Sequence, residues 1–257
     1  MGMLVDGQWG DDSAMRGGGF RRPDAPLRNW VSADGSSGFK AEAGRYHLYI
    51  SLACPWAHRA LIVRKLKKLE DVISLSVVDW HMTGDGWHFS DRDGAIPDPN
   101  VGAKFLRDIY VASDAAYTGR VTVPVLWDKQ TGVIVNNESS EIIRMFNDAF
   151  NAFGDASLDL YPADKRAAID PLNERIYNTL NNGVYKCGFG GNQEFYDESF
   201  DLLFATLDEL ERILDGQRYL MGDEATEADC GCSQLWCAST PSITSTSSAT
   251  CGASSTT

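Results

Sequence analysis

Lysine is scarce in this chain, eight residues of 257, and 23 basic side chains face 36 acidic ones, for a formal charge of −13 and a pI near 4.7. This balance argues against a nucleic-acid groove or an anionic membrane surface as partner, since both need clustered Lys and Arg. An acidic surface also suits a salt-rich cytoplasm. No apolar run approaches the roughly 20 residues of a membrane span. Met1 to Gly10 has neither the basic start nor the apolar stretch of a signal peptide, so the expected location is cytoplasmic. Histidine is thin as well: His47, His58, His81 and His88 lack metal-ligand spacing, and no metal is expected. Four of the six cysteines (Cys230, Cys232, Cys237, Cys251) crowd into the last 28 residues, which leaves the body of the chain only Cys54 and Cys187 and excludes a disulfide framework there.

What is present is ordinary for a folded protein: a hydrophobic content of 43% in a length that holds one large or two modest domains. Residues 1–45, rich in Gly, Arg, Asp and Ser, read as a poorly regular arm. A strand is expected over Tyr46 to Ser51, a helix from Pro55 to about Leu69 on the spacing of Leu61, Ile62, Leu66 and Leu69, and a second strand over Ile73 to Val78. Together they form a βαβ unit. Asp79 to Gly119 reads as a long loop covering a site, with a short helix over Lys104 to Ile109. A hairpin follows, Val121 to Trp127 and Val133 to Val135, with Pro124 a candidate for a cis bond, and then a polar-capped helix from Asn137 to Phe150. Beyond a linker near 154–157, helices are expected over Asp164 to Asn182 and Glu194 to Leu214. The second carries Phe200, Leu203, Phe204, Leu207, Leu210, Ile213 and Leu214 as its core stripe.

The most informative point is Cys54, between the first strand and the first helix. The unpaired N–H groups and the dipole of a helix start favour a thiolate, and Pro55 fits the first helical position because its missing N–H would have had no partner. Cys54 is the candidate nucleophile. The element order, with a cysteine after the first strand and a proline before the third, is the thioredoxin-like arrangement. The fold class is therefore α/β plus all-α.

Four strings carry a closer likeness: Ala53-Cys54-Pro55-Trp56-Ala57-His58-Arg59, Gly119-Arg120-Val121-Thr122-Val123-Pro124-Val125-Leu126-Trp127-Asp128, Asn137-Glu138-Ser139-Ser140-Glu141-Ile142-Ile143-Arg144-Met145-Phe146-Asn147 and Asn181-Asn182-Gly183-Val184-Tyr185-Lys186. Over residues 45 to 229 the chain resembles the glutathionyl-hydroquinone reductases, the Xi class of glutathione transferases. The resemblance implies a thioredoxin-like glutathione-binding domain over 46–153 and a transferase helical domain over 158–229. It implies glutathione as co-substrate, glutathionyl-hydroquinones as substrates, and a homodimer for the full-length form. Cys54 would form a mixed disulfide with glutathione, and Ala57, where a dithiol motif has its second cysteine, implies a monothiol mechanism. Val123 before Pro124 would offer its backbone to the cysteinyl part, and Glu138 and Ser139 would take the γ-glutamyl amine and carboxylate. Trp87 and Arg120 match positions beside the tripeptide, and Tyr185 matches a tyrosine facing the quinone. The alternatives are an Omega-like thiol transferase or dehydroascorbate reductase, and a non-catalytic interaction module with the same fold.

Residues 230–257 do not fit that pattern. They hold no charged residue, half of them are Ser or Thr, and the break falls inside a family helix that begins at Thr226-Glu227-Ala228-Asp229. A back-translation of Gly231 to Cys251 with chosen synonymous codons, read with the last base of the Cys230 codon in front, can give RLFTTLVRFDPVYYVHFKCNL. The resemblance leads one to expect a continuation that starts Arg-Leu-Phe-Thr-Thr-Leu-Val-Arg-Phe-Asp. Residues 230–257 therefore read as a frameshifted, low-complexity tail, expected to be disordered, on an incomplete helical domain.

Overall fold

The computed structural model describes residues 2–11 and 24–232. They divide into two compact units, with the change at Arg166–Ala167. In the first unit, the strand β5 (Tyr46–Ser51) is buried along its whole length, so it reads as a mostly apolar run with two polar exceptions, His47 inside it and Ser51 at its end. The His47 ring is accommodated because both its nitrogens meet hydroxyls, Nδ1 to Ser74 Oγ at 2.7 Å and Nε2 to Ser76 Oγ at 2.9 Å. A parallel neighbour needs a crossover, supplied by α1 (Pro55–Leu66) before β6 (Ser74–Val78). The antiparallel pair β8 (Val125–Asp128) and β9 (Val133–Asn136) completes a four-stranded sheet in the order β6-β5-β8-β9.

The helices α1 and α3 (Ser139–Asp148) pack against each other, and Ala57, Ala60, Val63, Ile142, Met145 and Phe146 are all buried. Each fully buried Leu, Ile or Phe stabilises by about 1.5–3 kcal/mol.

The arm is more regular than its composition suggests. The strands β1 (Gly2–Val5) and β2 (Gln8–Asp11) form a hairpin across Asp6-Gly7, both at positive φ, the Asp-Gly turn signal that its Gly-rich surroundings obscured. Gly7 is required there, since a Cβ would lie 2.1 Å from the Ala115 carbonyl oxygen. The strand β1 also pairs with β7 (Gly119–Arg120), and β3 (Val31–Ser32) runs parallel to β4 (Phe39–Lys40). The long connection contains α2 (Leu106–Ser113), two residues later than its periodicity placed it. Asp98 orders the stretch before it by accepting the N–H groups of Asn100, Val101 and Ala103 and the Tyr49 hydroxyl. Val121 to Val123, expected as strand, lie outside β8, since Pro124 brings no N–H to the ladder. Residues 154–157 do not act as a free linker: Asp155 N–H binds the Lys67 carbonyl, and Lys67 Nζ reaches Asn151 and Leu158.

In the second unit, the helix expected over 164–182 is α4 (Arg166–Arg175), which contains Pro171 and continues as a π-helical stretch, Ile176–Asn181. Then come α5 (Gly183–Phe189), α6 (Gln193–Gly216) and α7 (Glu227–Cys232). Ile176, Leu180, Leu203, Leu210, Leu220 and Ala228 form the core. Of the stripe expected on α6, Leu203, Leu207, Leu210 and Ile213 pack in the core, whereas Phe200 (39% exposed), Phe204 (37%) and Leu214 (43%) lie outside and Ser199 and Thr206 are inside. The two small polar residues belong to the contact face, where Thr206 Oγ1 meets Thr179 Oγ1 at 2.8 Å, and they add nothing to a hydrophobic pattern. The helix also continues through Cys230, Gly231 and Cys232, past the expected start of the tail. The rest of the tail, 233–257, lies outside the described residues.

Candidate active site

Cys54 caps α1 with extended backbone (φ −102, ψ 112), and Pro55 is the first helical residue. The first turn carries no acidic side chain, so nothing there opposes an anion at the helix start. The Cys54 N–H donates to Ser51 O, and the Cys54 carbonyl accepts from Ala57 and His58, which fixes the residue at the turn. The partly exposed thiol directs its S–H to the Val123 carbonyl at 3.7 Å. The remaining described cysteines are differently placed. Cys230 is buried, burial pushes the Cys187 thiol up, and burial reinforced by Asp229 pushes Cys232 up to about 11.

Val123 and Pro124 are joined by a cis peptide bond and both are buried. The segment before them is held from below: Tyr117 OH donates to Arg120 O, and Tyr110 OH donates to Thr122 O at 2.9 Å. At the start of α3, Glu138 is the N-cap, and its Oε1 accepts from Ser140 N–H at 3.0 Å and Ser140 Oγ at 2.9 Å. Glu138 Oε2 takes no part in these bonds. Ser139 opens the helix, so its N–H points to a place where no intrahelical acceptor exists.

Arg59 joins the two helices. It lies on α1, five residues after the thiol, donates Nε–H to Ser139 Oγ at 3.0 Å and places Nη2 3.6 Å from Glu138 Oε1, over the Trp56 ring. Cys54 thus meets Val123, while Arg59, on the helix that Cys54 caps, meets Ser139 and Glu138. Arg120 lies on β7, in the segment that leads to Val123. Trp87 is half-buried in the long connection, and its carbonyl accepts the first N–H of α2, from Leu106. Tyr185 belongs to the second unit, on α5, with its ring stacked on Phe189 at 6.2 Å.

Sequence reasoning did not single out Arg59, Tyr110 or Asn137 as site residues. Arg59 and Asn137 stand inside two of the motif strings, so a signal was available for them. Tyr110 looks like any aromatic on an amphipathic helix.

The chain matches the family described as Glutathione S-transferase, N-terminal domain, over residues 53–149, and the corresponding C-terminal domain over 193–234. It is 52% identical over 246 residues to the glutathionyl-hydroquinone reductase YqjG of Escherichia coli, covering 92% of this chain and 74% of that one. The glutathione-bound structure of YqjG superposes with a TM-score of 0.83 at 50% identity, over 91% of this chain and 73% of the other. A Xi-class transferase from Natrialba magadii gives a TM-score of 0.85 at 48% identity, over 91% and 72%. The chain belongs to the glutathione transferases, in the Xi class of the glutathionyl-hydroquinone reductases.

Proposed function

We propose that this enzyme removes glutathione from glutathionyl-hydroquinones. One observation carries the reading: Cys54, at a helix start without acidic residues, faces the Val123 carbonyl and is tied through Arg59 to the polar start of α3. The Cys54 thiolate attacks the sulfur of the conjugate and forms the S–S bond as the bond from sulfur to ring carbon breaks. The pair of electrons goes to the ring carbon, which takes up a proton to give free hydroquinone. A second glutathione thiolate then attacks the mixed disulfide, releasing oxidised glutathione and regenerating Cys54. Ala57, fully buried, offers no resolving thiol, hence the need for the second glutathione.

For the tripeptide, the Val123 backbone beside Pro124 takes the cysteinyl part. The Ser139 N–H suits the γ-glutamyl carboxylate and Glu138 Oε2 the amine. Trp87 and Arg120 flank it, and Tyr185 hydrogen-bonds the hydroquinone oxygen and helps to protonate the ring. We place the protein in the cytoplasm; no helix among the described residues is long and apolar enough to cross a membrane.

The test is turnover of chloro- or methyl-substituted glutathionyl-hydroquinones beside dehydroascorbate, with mass spectrometry of the trapped adduct. A glutathione adduct on Cys54 and a preference for the conjugates are expected. Preference for dehydroascorbate would make the enzyme Omega-like, and absence of a Cys54 adduct would make it a non-catalytic module.

We also propose that the segment from Cys230 on is a frameshifted reading, and that the frame-corrected protein is a homodimer. The shifted translation is what supports this. Sequencing across codons 228–232 tests it directly. Expression of both forms adds oligomeric state, turnover and hydrogen exchange; a protected segment 233–257 with full activity in the present chain overturns it.

A further inference from the structure

We infer that Tyr110 is a positioning residue for glutathione, one that sets the spacing between the loop ahead of Pro124 and the start of α3. This rests on the glutathione reading above. Tyr110 sits on α2 with no exposed surface, and its hydroxyl group touches neither Cys54 nor the residues assigned to the tripeptide.

Its hydrogen bonds are what single it out. The Tyr110 hydroxyl donates to Thr122 O at 2.9 Å and accepts from Thr122 N–H at 3.3 Å and from Asn137 Nδ2 at 3.2 Å. Thr122 immediately precedes Val123, and Asn137 immediately precedes Glu138. One oxygen atom therefore binds the residue next to each half of the proposed site. Asn137 is secured on its far side, where its Oδ1 accepts from Leu27 N–H and its own N–H donates to Leu27 O, so it has little freedom to follow a moving loop. Tyr117, whose ring lies 5.0 Å from that of Tyr110, holds Arg120 O in the same segment. Burial pushes the Tyr110 phenol up, which keeps it neutral and able to donate across the working pH range. In dry surroundings the loss of this hydroxyl leaves three partner groups without it, so the two edges shift or take in water.

Tyr110→Phe keeps the ring and removes only the hydrogen bonds. The expected result is a roughly tenfold weaker glutathione affinity by calorimetry. In turnover the KM for glutathione rises by a similar factor while kcat stays within about twofold, because the α1 contacts of Cys54 are untouched. Hydrogen exchange should quicken together over 119–124 and 136–141. Tyr46→Phe is the control, since it removes a buried hydroxyl bond, to Lys40 O, remote from these segments in the sequence. It should leave affinity and both segments unchanged. Unchanged glutathione affinity in Tyr110→Phe, beside a wild type that binds, overturns the inference alone. An equal loss in Tyr46→Phe also overturns it, as simple destabilisation. A wild-type protein that binds no glutathione overturns the underlying reading, and this inference with it.

Discussion

In the first unit, residues about a hundred positions apart meet through backbone groups, Asn137 with Leu27 and Asn29 with Val135, and the Asp6 N–H donates to the Thr118 hydroxyl. In the second, the core is a row of aliphatic side chains along one seam, and the aromatics Tyr196, Phe200 and Phe204 stack one after another on α6 with Phe200 and Phe204 partly exposed. A polar lattice fixes individual atoms, whereas an aliphatic seam fixes a face and tolerates drift within it. It is in the lattice that the thiol and the polar helix start stand. The contrast can be broken or sharpened by four measurements.

The largest effect is expected from the thiols. Cys54→Ala should lower turnover by at least about a thousandfold with an unchanged circular dichroism spectrum, because alanine is tolerated at a helix start and only the nucleophile is lost. Cys54→Ser should be almost as inactive. Cys187→Ala in the second unit should retain activity within about twofold, since burial already disfavours its thiolate. Near-parental turnover of Cys54→Ala in a frame-corrected protein would sink the mechanism.

Next come the ion pairs. Arg45 grips Asp128 through two bonds, at 2.9 and 2.7 Å, with both side chains almost wholly buried, and Asp128 also closes the β8–β9 turn through Gln130 N–H and Thr131 Oγ1. Asp128→Asn removes the buried carboxylate and leaves Arg45 only the more exposed Glu42 as charge partner, so it should cost about 3 kcal/mol in urea unfolding. The pair Arg175–Glu209 in the second unit is partly exposed, so Glu209→Gln should cost less than about 1 kcal/mol. Equal costs would erase the contrast between the units.

The third is a pH dependence confined to the first unit. Burial pushes the His47 imidazole down from 6.5 to about 4. Between those values the unfolded chain holds the extra proton, so stability falls as pH falls from 6.5 and the loss is complete near 4. Its full size is about 3 kcal/mol. The lowered carboxyls of Asp79, Asp98, Asp128 and Glu141 act in the same direction but only below their ordinary values of 3.8 to 4.5. The window from 6.5 to 4.5 therefore belongs to the histidines, His47 first and then His58, whose imidazole burial also pushes down, so His47→Asn should flatten most of it and leave the His58 part. Exchange of β5 amides as a function of pH provides the measurement.

The parts legible in the sequence were those in which one property repeats or one residue punctuates. β5, α1 and β6 showed in their spacing, α3 in its capping residues, and the placement of Cys54 and Pro124 in the strings around them. Tyr110 was not legible as part of the candidate site, and Arg59 was legible only as a member of a motif string, because their meaning is a set of partners. Nothing in residues 105–113 points to Thr122 or Asn137, and nothing near Arg59 points to Ser139. The contact face of α6 was legible in Leu203, Leu207, Leu210 and Ile213, but its edge was missed for a different reason: Ser199 and Thr206 are small and polar, while Phe200 and Phe204 lie outside.

The placing of Phe204 outside that face gives the smallest and most discriminating expected effect. If the seam were centred where the apolar stripe falls, Phe204 would be a core residue and its loss would cost about 3–5 kcal/mol. With Phe204 at 37% exposure and Leu210 at 3%, the order reverses. Leu210→Ala should cost about 2–5 kcal/mol. Phe204→Ser should cost less than about 1 kcal/mol, arising chiefly from its ring contact with Phe200 at 4.3 Å. Thr206→Val adds a check on phase, because it keeps the shape and removes the hydroxyl at the contact with Thr179, for about 1 kcal/mol. Urea midpoints for the three variants of the 257-residue chain rank them. A Phe204→Ser cost equal to that of Leu210→Ala would return α6 to the orientation that its hydrophobic pattern alone suggests, and the second unit would then have a core as deep as the first.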